Sequence, residues 1–403
     1  MSKNVLISIV GKGRQNENII GYQKTRYEFP DGSIKEAAFF GSALYDYLCK
    51  SGSKIDKWLI FGTKNSSWSE IESAIPKEEA SFLEDIYLKV YHEEQKGISE
   101  ETLKEWERSL EKYIKGLKFL LVKPEDTESY FNYLLEEITA EPHDIIFDMT
   151  HGFRHMPTIL AFTLMSLKFL RKINSIKVFY GALEFKNYEN NCSKVLSLDF
   201  VNDLIKLTES LAIYQNSGYF PEVLNFLGIK DTENSYFKIE MNRQPKSEIV
   251  DIVDKLEQIS GGNDYKANLA SLLEKELNPL AKAKYLEDRM IERAKYFLEK
   301  KQFLKAAVLL YEGLLIQAGR KMGVDDLLAY ESREKIRKVL KSKGDEIFAG
   351  KMQDFLEIEY LRNSAVHGSR PKNAETQNFI ENQEEFIKLF ERGINIYHAL
   401  KKQ

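Results

Sequence analysis

The stretch Asp144-Ile145-Ile146-Phe147-Asp148-Met149-Thr150-His151-Gly152-Phe153-Arg154 decides how this chain is read. Its first five residues are a short apolar run closed by an aspartate, the pattern of a strand buried on both faces. The next six carry polar side chains and a glycine, the pattern of a strand-end loop. Pro157 then opens a segment that is apolar nearly all round. Proline is favoured in the first turn of a helix, so a buried helix is expected there. Strand, loop and helix make one step of a parallel α/β layout, and the step recurs on both sides. Val5–Val10 reads as a strand ending in Gly11-Lys12-Gly13-Arg14, and Lys57–Phe61 as one ending in Gly62-Thr63-Lys64-Asn65-Ser66-Ser67-Trp68. Leu117–Val122 and Ile176–Leu183 complete a set of five. Helix-like spacing of Ala38, Phe39, Ala43, Leu44 and Leu48 covers residues 35–50, and a further helix covers 126–139. The charged stretch 76–117, with Pro76 near its start, reads as a helical insert.

This alternation predicts an α/β fold with a Rossmann-like, doubly wound parallel sheet. Ligands of such sheets bind outside the carboxyl ends of the strands, where the crossovers diverge. Three polar, glycine-bearing loops, 11–16, 62–68 and 149–154, fall at those ends. The candidate ligand residues are Gly11, Lys12, Gly13, Arg14, Gly62, Thr63, Lys64, Asn65, Ser66, Thr150, His151, Gly152, Phe153 and Arg154. Gly62 and Gly152 permit close backbone approach. The hydroxyls and the Asn65 amide supply hydrogen bonds, and free N–H groups ahead of a helix favour phosphate. Lys12, Arg14, Lys64 and Arg154 can neutralise it. On the residues alone, Arg154 also suits a surface salt bridge and His151 a satisfied turn histidine. The Gly11-Lys12-Gly13 run lacks the third glycine of a dinucleotide fingerprint, because position 16 is Asn16.

From about residue 200 the strand signal fades. Residues 200–281 read as a helical connector broken by Asn216-Ser217-Gly218 and Ser260-Gly261-Gly262-Asn263. Residues 282–403 read as an all-α bundle of four or five helices, with apolar spacing through Leu286, Met290, Ala294 and Phe297, then Ala307, Leu310, Leu314, Leu315 and Ala318. Further helices are expected near 332–342, 351–366 and 375–400. The expected organisation is therefore 1–199, 200–281 and 282–403, in keeping with a 403-residue chain too long for one core.

Composition excludes several classes. Two cysteines, Cys49 and Cys192, argue against a disulfide framework or a cysteine metal site. His151 and His155 stand four apart but ahead of the helix, so no metal site is expected. No run of 18 uncharged apolar residues is present, so no membrane span is expected. The chain opens directly into a strand without a signal-peptide layout, which places the expectation in the cytoplasm. A net charge of −4 rules out a uniformly basic surface but not a local basic groove.

The second candidate site is Arg362-Asn363-Ser364-Ala365-Val366-His367. Metal-free RNA cleavage must take a proton from a 2′-hydroxyl and give one to a 5′-oxygen, work suited to histidine. Charge gathers on the phosphate, which suits a fixed arginine fork, and Asn363 can add a hydrogen bond. Five positions apart on a helix, Arg362 and His367 project about 140° apart. They meet only if the helix frays at Gly368 or if two subunits each contribute a pair. An arginine and a histidine at an ordinary helix end beside a glycine cap fit the same spacing. The run Arg333, Lys335, Arg337, Lys338, Lys341 and Lys343, with Arg370 and Lys372, can steer an RNA backbone.

Two resemblances bear on these residues. Tyr360-Leu361-Arg362-Asn363-Ser364-Ala365-Val366-His367-Gly368 resembles the R-x(4–6)-H signature of HEPN ribonucleases. The 60–68 and 147–154 stretches resemble CARF sensor domains, closest to the branch fused to HEPN in type III CRISPR systems. Together they cover most of 1–183 and 282–403 in the expected order. The resemblance implies a homodimer that binds cyclic oligoadenylate across two CARF domains and thereby switches on a metal-independent, single-stranded RNA endoribonuclease in antiviral defence. It implies no resident cofactor, favours cyclic tetra-adenylate as activator, and gives no reason to expect a membrane or stable DNA binding. Arg362, Asn363 and His367 would be catalytic, Arg362 stabilising the pentavalent phosphate and His367 acting as general acid or base. Two alternatives remain open: a ring nuclease that degrades cyclic oligoadenylate, and a catalytically silent CARF-based regulator.

Overall fold

The computed structural model describes residues 2–13, 22–187, 191–241, 243 and 245–402. They divide into two compact units, residues 1–206 and 207–403.

The first unit is built on β1 (Lys3–Val10), whose last six residues are all buried. Leu6 and Val10 face one core and Val5, Ile7 and Ile9 the other. This two-sided burial follows from the uninterrupted apolar run, and it requires a helical layer on each face. The chain continues through β2 (Thr25–Glu28), β3 (Ile34–Ala37), α1 (Phe40–Lys50) and β4 (Lys57–Gly62). A short 3-10 turn at Trp68–Ala74 leads into the insert, with α2 (Lys77–Ala80), a second short turn, α3 (Glu84–Glu94) and α4 (Glu100–Glu111). Then come β5 (Leu117–Leu121), α5 (Thr127–Glu137), β6 (His143–Asp148), α6 (His155–Leu167), β7 (Ile173–Asn187), β8 (Cys192–Ser197) and α7 (Asp199–Ser217).

The sheet order is β3-β2-β8-β7-β6-β1-β4-β5. The five expected strands form the parallel part, β7-β6-β1-β4-β5. The expected parallel sheet is extended by three further strands, β8 and β3 pairing antiparallel with β7 and β2, and β2 parallel with β8. Residues 35–37, expected as the start of a helix, lie in β3, and α1 begins only at Phe40. β2 and β3 are short and polar, burying chiefly Tyr27 and Ala37, so their hydrophobic pattern is too weak to reveal them. The insert covers the β5 edge, where Glu107 of α4 accepts a hydrogen bond from Phe119 N at 2.5 Å.

α6 departs from the expected fully buried helix. Met156, Leu160, Leu164 and Leu167 turn inward to the core shared with α5 and β6. Phe162, and Phe169 just beyond the helix end, are 65% and 75% exposed. The helix is the outer layer over the sheet, so one face is covered and the opposite face exposes Phe162 among His155, Thr158 and Ser166.

The second unit is helical throughout: α8 (Pro221–Phe226), α9 (Glu233–Glu240), α10 (Lys246–Ser260), α11 (Tyr265–Lys282), α12 (Leu286–Glu299), α13 (Phe303–Lys321), α14 (Tyr330–Ile347), α15 (Met352–His367), α16 (Ala374–Glu381) and α17 (Gln383–Lys402). One apolar core runs from Tyr214 to Leu400. The stretch expected as a connector is helical, and its α8–α11 share that core with α12–α17. The single helix expected over 375–400 is two, divided at Asn382, whose side chain accepts from Glu384 N at 2.9 Å and caps the second.

Candidate functional site

In the first unit, β6, β1 and β4 are neighbours and parallel, so their carboxyl ends and following loops lie together. β1 leads to β4 on one side, while β6 stands on the other, which makes the β6/β1 boundary the switch point of the sheet. The loops are tied to each other. Ser67 N donates to Gly11 O at 2.8 Å and Ser67 Oγ accepts from Gly13 N at 3.0 Å. Ser66 Oγ donates to Val10 O at 2.8 Å and accepts from Thr63 N at 2.9 Å. A Cβ on Gly11 would stand 2.8 Å from Gly152 N, so glycine there lets the loops after β1 and β6 touch. Gly152 itself has φ +92, a conformation that favours glycine.

These contacts sort the expected ligand residues into two groups. Lys12, Lys64, Asn65, Gly152, Phe153 and Arg154 are exposed around the crevice, and Gly11, Thr63 and Thr150 are half-buried. Arg154 stands directly ahead of α6. Ser66, Gly13, Gly62 and His151 lie inside. A Cβ on Gly62 would meet the Trp68 ring at 2.5 Å, so this glycine makes room for an indole and not for ligand backbone approach. Arg14 lies outside the described residues.

His151 is 8% exposed, and its Nε2 accepts from Phe40 N at 3.2 Å. Its ring sits 4.4 Å from the Tyr22 ring and 5.5 Å from the Phe39 ring, centroid to centroid. Burial pushes its pKa down to about 4, so it is neutral, with Nδ1 carrying the proton. The satisfied-histidine alternative describes this placement: His151 pins the 149–154 loop to the start of α1. His155, its expected neighbour, pairs its Nε2 with Pro124 O at 2.9 Å.

Three contributors lie outside the expected ligand residues. Tyr22 accepts from Gly11 N through its hydroxyl at 2.8 Å. Asp148, wholly buried, accepts from Thr150 N through Oδ1 at 2.9 Å, while Thr150 Oγ1 accepts from Gly181 N at 2.9 Å. The insert fixes the 62–68 loop from behind, with Trp106 Nε1 donating to Trp68 O at 3.0 Å and Ile98 N to Lys64 O at 2.9 Å.

In the second unit, α13, α14 and α15 assemble the cluster around Arg362. Its guanidinium lies 5.2 Å from the Tyr311 ring centroid. Nη1 donates to Asn363 Oδ1 at 2.8 Å, and Nη2 reaches Glu312 Oε1 at 3.5 Å. Glu312 is buried, and its Oε2 accepts from Arg333 Nη1 at 2.8 Å. Arg337 Nε donates to the Tyr311 hydroxyl at 3.1 Å, which donates to Glu359 Oε1 at 3.0 Å. Arg333 and Arg337, expected among the RNA-steering run, are thus engaged in this cluster. His367 is exposed and ends α15, and Gly368 caps the helix at φ +58. The helix holds to His367 without fraying, so Arg362 and His367 keep their angular separation of about 140°.

The sheet and its strand-end crevice define a Rossmann-like α/β domain. Residues 5–190 match the family model described as the CARF domain of the CRISPR system endoribonuclease Csx1, and this part of the chain is a CARF domain. CARF domains bind cyclic oligoadenylate. The chain is also 27% identical over 205 residues to CRISPR-associated protein MJ1674 of Methanocaldococcus jannaschii. That match covers 45% of this chain and 31% of the relative. Among the described residues, no helix is long and apolar enough to cross a membrane, and no three His, Cys, Asp or Glu side chains are grouped to hold a metal ion.

Asp148 and His151 give the CARF domain opposed pH dependences. Burial raises Asp148 to about 7, so its contribution is present at low pH and is lost as pH rises from about 4 through 7. The contribution of His151 is present above about 6.5 and is lost as pH falls through about 4. Relative to the parent, Asp148→Asn should gain thermal stability as pH rises across this window, and His151→Gln should gain as it falls. Melting temperatures recorded from pH 4.5 to 7.5 check this; parallel slopes in the two variants would contradict the assigned protonation states.

Proposed function

We propose that the chain is a cyclic-oligoadenylate-activated endoribonuclease of type III CRISPR defence, acting on single-stranded RNA without a metal. The observation that carries this reading is the Arg362 fork seated on Tyr311, with His367 at the exposed end of the same helix, in a chain whose first part is a CARF domain. Cyclic tetra-adenylate is the activator we favour. Its phosphates would meet Lys12, Lys64 and Arg154 and the N–H groups ahead of α6, all around the crevice. In the second unit Arg362 would take the charge that gathers on the scissile phosphate, with Asn363 steadying its fork. His367 would carry protons to and from the reacting oxygens.

The angular separation of Arg362 and His367 supports a half-site completed by a second copy of the chain. The exposed rings of Phe162 and Phe169 support the same homodimer, because exposed large apolar side chains mark association surfaces. Phe162→Glu should shift the chain towards monomer in sedimentation and lower activated cleavage by at least tenfold. An unchanged dimer would place the interface elsewhere.

Arg362→Ala and His367→Ala should each lower activated RNA cleavage by about a hundredfold or more, in line with the loss of a charge-stabilising or proton-transferring group. Activity of the parent in EDTA should be unchanged. Near-parental rates in either variant would remove that residue from catalysis, absence of RNA cleavage by the activated parent would favour the silent-regulator reading, and loss of the cyclic oligoadenylate itself would favour a ring nuclease.

Arg154→Ala should raise the half-activating concentration of cyclic tetra-adenylate about tenfold or more, with the unstimulated rate unchanged. An activation curve that does not move would exclude this loop from ligand recognition.

A further inference from the structure

The ribonuclease reading uses Arg362 but leaves its neighbours without a task. Glu312 is one buried carboxylate held by two arginines: Oε2 by Arg333 at 2.8 Å, and Oε1 by Arg362 at 3.5 Å. One carboxylate group therefore sets the spacing of two guanidiniums. Arg337 and Glu359 join through Tyr311, so three cations face two carboxylates and one positive charge is left over. Arg333 and Arg362 each keep 22% of their side chain exposed, against 7% for Glu312. The outer edge of this cluster is thus cationic and its inner edge anionic. The Arg362 contact stands at the long limit of a hydrogen bond, which leaves that fork incompletely satisfied. Glu312 offsets only one of these two charges, so the exposed edge of the pair retains a net positive charge that favours an anion.

We propose that Glu312 is a positioning residue that pairs Arg333 with Arg362 into a two-guanidinium receptor for a single RNA phosphodiester, with Arg333 as the second phosphate-binding side chain. This rests on the ribonuclease reading and adds to it a residue from another helix. Arg362, steadied by Asn363 and stacked on Tyr311, is the fixed half of the receptor. Arg333 joins it from α14 through the Glu312 carboxylate that both guanidiniums contact. A planar fork matches two phosphate oxygens where an ammonium would act as a point charge.

The full-length chain, saturated with cyclic tetra-adenylate, tests this with a fluorescent single-stranded RNA. Arg333→Gln should lower kcat at least tenfold, and Arg333→Lys should recover only part of it. Glu312→Gln, similar in shape but uncharged, should lower kcat at least fivefold while KM stays within about twofold. Binding of a fully 2′-O-methylated, uncleavable RNA supplies a readout that a merely structural role would not move. In Arg333→Gln the slope of log Kd against log salt should shrink by about one. Parental kcat and salt slope in Arg333→Gln, beside an inactive Arg362→Ala, would overturn the proposal and leave the ribonuclease reading standing. Parental cleavage by Arg362→Ala would overturn that reading and this assignment with it.

Discussion

Burial of β1 on both faces is the constraint on which the first unit depends. A strand apolar on alternate sides cannot sit at a surface, so it takes a parallel neighbour on each edge and helices above and below. Its carboxyl end is then flanked by those of β4 and β6, and the loops that leave them meet at a switch point. Gly11 and Gly152 complete the arrangement, since any side chain on Gly11 would drive the loops apart. The strand-end crevice of the CARF domain is therefore a consequence of how one apolar run is packed.

The same logic sorts polar residues in both units. A motif places residues along the chain, but burial decides which of them face a ligand and which hold the frame. His151 and Ser66 spend their hydrogen-bonding capacity inside the protein, and Arg154 and Lys64 keep theirs for solvent. In the helical unit Arg362 is held by a side chain, Glu312, that stands fifty residues away in sequence. A buried carboxylate between two arginines is tolerated because both of its oxygens are paired.

Much of this was legible beforehand, and the limits have physical causes. The five core strands were readable because strands buried on both faces are nearly continuous apolar runs. β2 and β3 were not, because strands of four residues bury about one side chain each. The three loops were readable as polar interruptions at strand ends. The inward turn of His151 was not, since it depends on Phe40 N and two aromatic rings from distant stretches. Apolar periodicity rightly marked α6 as flat in character but could not say that one of its faces lacks a cover. The Arg362–His367 spacing was readable, whereas the Glu312 bridge to Arg333 joins three helices and leaves no local pattern.

The hydrogen bond from Phe119 N to Glu107 has a bearing on how this family of domains can vary. β5 is the outermost strand, and a bare edge of this kind offers its amides to any extended chain nearby. The insert acts as a chaperoning flap for that edge, a device against self-association built into the native chain. Shortening the insert would therefore open this edge to aggregation, and a relative that lacks it must guard the same edge with another segment, a charged strand or a bulge.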